Sequence, residues 1–191
     1  PNFIDDLLEG VKSNQISIDE AKAQLSHYDE LGFAKIDLHR AKRQGFPEVI
    51  FGEGKTKEQI NQIIESLTQH DNVILVTRID ETKAKFVLEH HPYLQYHSVA
   101  NIVSTPIEKI KKSQNYISIL CAGTSDLAVA EEAALTAEVM GIQVKRFYDV
   151  GVSGIHRLFN HIHEIRQGKV SVVIAGMEGA LASVVGGLVD H

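Results

Sequence analysis

The sequence predicts an α/β protein in which a small mixed domain precedes a parallel-sheet domain, and two patterns carry that reading. From Tyr116 onward, short runs that are apolar throughout alternate with longer stretches of helical periodicity. Strands apolar on both sides belong to a parallel sheet covered on both faces. Each of those runs also ends in a glycine-bearing loop. In open parallel sheets the ligand sits at the carboxyl ends of the strands, which is where these loops fall.

In chain order, residues 1–30 read as two short helices, an appendage to the domain after them. The second starts at Ser17, with Glu20 three residues on as a capping box and Ile18, Ala21 and Leu25 at helical spacing. A small α/β domain is expected over residues 31–110. It opens with a stretch dense in charge, where Asp37, His39, Arg40, Lys42, Arg43 and Glu48 surround the short strand Val49-Ile50-Phe51. Thr56 then caps a helix with Gln59 at the reciprocal position, and Ile60, Ile63, Ile64 and Leu67 form its apolar stripe. A buried strand from Val73 to Val76, a helix from Asp80 to about Glu89 and an extended segment from Tyr93 to Val103 come next.

The stretch from Ser104 to Asn115, with Pro106 and the cluster Lys109, Lys111 and Lys112, marks the boundary. Residues 111–191 then form the second domain, with strands at Ile117 to Cys121, Gln143 to Tyr148 and Val170 to Ala175. Its helices are expected from Leu127 to Met140, Gly154 to Arg166 and Glu178 to Leu188. Only Val189, Asp190 and His191 come after them, where a further parallel strand is expected. The domain therefore reads as incomplete, with Val184, Val185 and Leu188 turned toward a missing strand or a neighbouring subunit.

Composition narrows the function classes. A hydrophobic share of 43% with 6% aromatics is the balance of an ordinary soluble α/β chain. No run reaches the roughly 18 apolar residues of a spanning helix, and the opening Pro-Asn-Phe-Ile-Asp-Asp lacks the basic-then-apolar order of a signal peptide. The cytoplasm is the expected location, and the single cysteine, Cys121, suits it by allowing no internal disulfide. A net charge of -6 argues against nucleic acid as a partner. An anionic ligand has to be held locally, by N–H groups at a helix start and a few placed cations.

Three loops offer that chemistry. In Cys121-Ala122-Gly123-Thr124-Ser125-Asp126 the small residues let the backbone approach a ligand, and Thr124 and Ser125 bring hydroxyls and N–H groups to a helix start. Asp126 is placed to cap that helix or to accept a ribose hydroxyl, and the whole loop also fits a capped turn with no ligand. The second loop, from Asp149 through Gly151 and Gly154 to His156 and Arg157, offers an imidazole and a planar guanidinium suited to phosphate. His156 also fits an outward helix position. The third, Ala175-Gly176-Met177-Glu178-Gly179-Ala180, puts a carboxylate at the first turn of a helix between two glycines. Glu178 there either serves a ligand or complements the helix dipole. Cys121 closes an apolar strand without a basic neighbour and reads as a buried, inert thiol. His90-His91 lacks the spacing of a helical metal pair and reads as surface.

These loops resemble PurE, the carboxylase of purine biosynthesis, and they resemble LarB proteins more closely. The stretches Gly32-Phe33-Ala34, Gly45-Phe46-Pro47-Glu48, Ala122 to Asp126 with Ala130-Glu131-Glu132-Ala133, Tyr148 to Val152, Gly154 to Arg157 and Ala175 to Ala180 look like LarB signatures and span nearly the whole chain. The resemblance implies a PurE-like, flavodoxin-like three-layer carboxyl-terminal domain and a homo-oligomer, octameric as in PurE. It implies carboxylation of the pyridinium ring of nicotinic acid adenine dinucleotide (NaAD) by CO2 or bicarbonate, with phosphoanhydride hydrolysis releasing AMP. The product is then pyridinium-3,5-biscarboxylic acid mononucleotide, a precursor of the nickel-pincer cofactor of lactate racemase, and NAD is a substrate analogue.

Under that resemblance Glu178 and Asp126 are the candidate catalytic carboxylates. Gly123, Thr124, Ser125, Asp149, His156, Arg157, Gly176, Met177 and Gly179 are the candidate substrate-binding residues. No tightly bound cofactor is expected, although phosphoanhydride hydrolysis often uses Mg²⁺. The family's catalytic cysteine belongs to a segment past the last helix seen here, so Cys121 does not match it and the 191-residue chain is expected to be inactive. Two alternatives stand beside this reading. One is a PurE-type mutase, against which Val152 occupies the place of the PurE histidine. The other is a non-catalytic nucleotide-binding fragment.

Overall fold

A computed structural model describes residues 3–25, 28–38, 40, 44–69 and 73–191. His39, Lys42 and Arg43 of the charged stretch lie outside the described residues, as does the side chain of Leu25. Helices α1 (Phe3–Lys12) and α2 (Ile18–Leu25) open the chain. The capping box is present: the Ser17 N–H donates to Glu20 at 2.7 Å and the Glu20 N–H to Ser17 Oγ at 3.1 Å. Ala21 is buried, but Ile18, at the first position of the helix, is exposed, which shortens the predicted stripe.

Strands β1 (Tyr28–Glu30) and β2 (Lys35–Asp37) form an antiparallel ribbon. The next sheet contains β3 (Ile50–Phe51), β4 (Leu75–Thr77), β5 (Gln95–His97) and β6 (Ile102–Ser104) in the order β3-β4-β6-β5. Within it only β3 and β4 pair in parallel. The extended run predicted from Tyr93 to Val103 is a hairpin, because the chain reverses through a turn ending at Asn101, which takes a positive φ of 52°. Helix α3 (Lys57–Thr68) carries the predicted reciprocal cap between Thr56 and Gln59 and buries Ile60, Ile63, Ile64 and Leu67. Helix α4 (Glu81–His90) starts under Asp80, whose carboxylate accepts the Lys83 N–H at 2.9 Å. At its end the surface reading fails for His91, which is buried with Nε2 2.9 Å from Asn61 Oδ1 on α3. Among the described residues no helix is long and apolar enough to cross a membrane.

The carboxyl-terminal sheet is parallel throughout, with β7 (Tyr116–Cys121) between β8 (Gln143–Phe147) and β9 (Ser171–Ile174). Helix α5 (Leu127–Val139) comes after a tight turn over Thr124–Asp126. The single helix expected from Gly154 is two, α6 (His156–Phe159) and α7 (Ile162–Gln167). The break falls where the His161 N–H bonds the Leu158 carbonyl, three residues back, and interrupts the four-residue ladder. Helix α8 (Ala180–Gly186) starts two residues late because Met177 and Gly179 take positive φ of 53° and 69°. Val185 is fully buried, and with Val184 and Leu188 it packs into the cluster of Leu120, Phe147 and Leu158. Those side chains pack against their own sheet, with Val184 and Leu188 partly exposed.

The two sheets share a seam. Leu135 and Val139 of α5 join Leu75, Ala100 and Ile102 of the amino-terminal sheet in one apolar cluster, so α5 serves both cores. Arg78 reaches across the same seam to Glu132 at 2.9 Å.

Candidate active site

The three glycine loops meet at the carboxyl ends of β7, β8 and β9. The Gly151 N–H donates to the Ala122 carbonyl at 2.9 Å and the Val150 N–H to that of Cys121 at 3.1 Å, which ties the second loop to the first. A Cβ at Gly151 would lie 2.7 Å from the Ala122 oxygen, so this approach needs glycine. Between the first and third loops stands the Asp126 carboxylate. Side-chain carbons built at Gly123 and at Gly176 would each come within 3.9 Å of it.

The result is a cleft of about 440 Å³, within the range of small-molecule sites. Of the residues singled out from sequence, Gly123, Ser125, Asp126, Gly176, Met177 and Glu178 line it. Thr124, Asp149, His156, Arg157 and Gly179 do not. Arg157 and Asp149 are engaged with each other, Nη1 to Oδ2 at 2.5 Å, and the Arg157 Nε also donates to the Gly154 carbonyl. That pairing engages Nη1 and Nε of the fork expected to hold a phosphate. His156 takes the outward position. Sequence reasoning missed Ser153, whose hydroxyl lines the cleft and makes no hydrogen bond within the described chain. Its signal was present, a hydroxyl residue between Gly151 and Gly154 in a loop already noted for its glycines.

Asp126 does not cap α5. Its carboxylate turns back to accept the Gly123 N–H at 2.9 Å, and its own N–H bonds the Gly123 carbonyl at 3.1 Å. That amide is therefore closed to an anion, while the exposed Ser125 hydroxyl has no partner in the described chain. Glu178 is not in the first turn of α8 as expected. It sits in the turn before it, closed by the Gly179 N–H on the Gly176 carbonyl at 3.1 Å, exposed and without an ion pair among the described residues. Two non-glycine residues of these loops, Asp149 and Met177, take positive φ of 55° and 53°. Each such residue costs on the order of 1–3 kcal/mol, and this strain clusters at ligand sites.

Cys121 is buried beneath the loops, and burial pushes its thiol above the ordinary range. It is a poor nucleophile there. Among the described residues no group of three His, Cys, Asp or Glu side chains is placed to hold a metal ion.

A parallel sheet with carboxylates and hydroxyls on a glycine-lined edge defines an α/β protein with a polar cleft at the carboxyl ends of its strands. The chain belongs to the LarB family: residues 28–108 match the LarB/PurE-like N-terminal domain. It is also 38% identical over 197 residues to the uncharacterized protein MJ0165 of Methanocaldococcus jannaschii, an alignment covering 97% of this chain and 77% of that protein. The domain match relates the chain to a family of carboxylases.

Proposed function

We propose that this protein carboxylates the pyridinium ring of nicotinic acid adenine dinucleotide with CO2 or bicarbonate and cleaves the phosphoanhydride to release AMP. The observation that carries this reading is the convergence of Ser125, Ser153 and Glu178 on one glycine-lined cleft. The hydroxyls suit an anionic part of the dinucleotide, and the exposed carboxylate suits a proton on the ring. Glycine on both sides of the cleft gives a flat heterocycle room to approach.

An electron-poor pyridinium attacks CO2 only after a nucleophile has added to it and converted it to an enamine. The new C–C bond then leaves a carboxyl group and a hydrogen on one ring carbon. A base removes that hydrogen, the nucleophile departs, and aromaticity returns. Glu178 is the residue assigned to the proton. Cys121 is not assigned to the addition, because it is buried and its thiol is held protonated. As the only cysteine of these 191 residues, it leaves the chain able to bind the dinucleotide but not to turn it over.

The test is incubation of the native protein, with any flanking segments its gene encodes, with the dinucleotide and ¹³C-bicarbonate. The reading expects label in a carboxylated pyridinium mononucleotide and one AMP per product. Unlabelled pyridinium with no AMP contradicts it.

A further inference from the structure

Residues 1–30 hold 7 of the chain's 25 acidic residues and 2 of its 19 basic ones, so this short appendage carries five of the six net negative charges. We infer that α1 docks on a second copy of this chain, against the lysines at Lys109 and Lys111. The inference does not depend on the carboxylase reading.

One side of α1 is already covered. Leu7 and Gly10 are buried, and a side-chain carbon on Gly10 would lie 2.7 Å from Ile16, the residue before α2. The opposite side is a single stripe of Asp5, Leu8, Glu9 and Lys12 at the spacing of one helix face, and all four are exposed, Leu8 by 56%. Neither carboxylate of the stripe forms an ion pair among the described residues. A leucine standing among unpaired carboxylates fits a basic surface with apolar substance in it.

The segment between the two sheets supplies that surface. Lys109 ends a single 3-10 turn, Ile107–Lys109, and Ile110 after it is extended, with φ -98° and ψ 126°. Ile110 packs into the seam with Leu135 and Val139, which sets Lys109 and Lys111 together on the outer side. Both are exposed and without an ion pair among the described residues. Lys112 is occupied, since it pairs with Glu138 at 3.6 Å. Two residues of extended chain separate Lys109 from Lys111 by about 7 Å, and four residues of helix separate Asp5 from Glu9 by about 6 Å. Spacing and sign both match, and Leu8 meets the alkyl stems of the lysines. Each copy carries both halves of the contact, so a two-fold pair forms it twice and closes.

Carbodiimide coupling tests this, because it joins a carboxylate to a lysine only where the two touch. In an equal mixture of ¹⁴N- and ¹⁵N-labelled chains, links from Asp5 or Glu9 to Lys109 or Lys111 should appear in mixed-isotope peptides. They should fade between about 0.01 M and 1 M salt, where the screening length falls from about 30 Å to about 3 Å. Asp5→Lys with Glu9→Lys should abolish them, as should Lys109→Glu with Lys111→Glu. Mixing those two double variants should restore coupling between the copies, because each then meets its opposite charge. Links confined to one isotope, links from these carboxylates to other lysines only, no link, or no restoration on mixing overturns the inference.

Discussion

The Asp126 carboxylate accepts the Gly123 N–H at 2.9 Å, and the Gly123 carbonyl accepts the Asp126 N–H in return at 3.1 Å. This reciprocal pair closes the first loop on itself and engages Oδ2 of Asp126, while Oδ1 faces Gly176 across the cleft. Under the proposed reading Asp126 shapes the loop and Glu178 takes the proton. Asp126→Ala should lower stability by about 1–2 kcal/mol in urea unfolding, and Asp126→Asn should recover part of that, since the amide oxygen still accepts. A variant as stable as the parent means the pair is not holding the loop.

Gly151→Ala is the sharpest test of the loop junction. The φ of Gly151, -57°, suits any residue, so the cost is purely the added carbon 2.7 Å from the Ala122 oxygen. We expect about 1–3 kcal/mol of destabilisation from that overpacking. An unchanged thermal midpoint means the loops separate easily.

Cys121 should resist alkylation by iodoacetamide in the folded chain and react once denaturant is added. Burial both shields the thiol and keeps it protonated. Rapid modification of the native protein shows the thiol to be accessible and reopens its candidacy as the ring nucleophile.

Much of this was legible in the sequence. The caps at Ser17 and Thr56 and the parallel pairing of the carboxyl-terminal sheet came through because each rests on local chemistry or on unbroken apolar runs. The illegible part depends on side chains distant in sequence. The burial of His91 stems from Asn61, thirty residues away. The pairing of Arg157 with Asp149 stems from Asp149 turning through a positive φ to meet it. The late start of α8 reflects Met177 adopting a left-handed conformation that sequence preference disfavours. Ser153 was overlooked because only the packing of three loops shows which hydroxyls face inward.

Stability should fall on the acid side of pH 6.5. Burial holds the imidazoles of His91 and His97 below that ordinary value. Both are therefore neutral in the fold, while the unfolded chain takes up protons near 6.5. The stabilisation is fully present above 6.5 and is lost as the pH falls through the lower, folded values. His91→Gln should flatten part of this slope in urea midpoints measured on either side of pH 6.5. A slope unchanged in the variant shows that His91 does not contribute.

Whether the loop cleft holds the dinucleotide is tested most directly by calorimetric titration of nicotinic acid adenine dinucleotide into the 191-residue chain and two of its variants. Glu178→Gln should bind as tightly as the parent, because it keeps shape and removes only basicity, and in the native protein it should cut turnover by about 10²-fold or more. Ser125→Ala should weaken binding by about ten-fold to a hundred-fold, the loss of one hydrogen bond to a charged group. Affinity unmoved by Ser125→Ala would place the ligand elsewhere and contradict the assignment of this cleft.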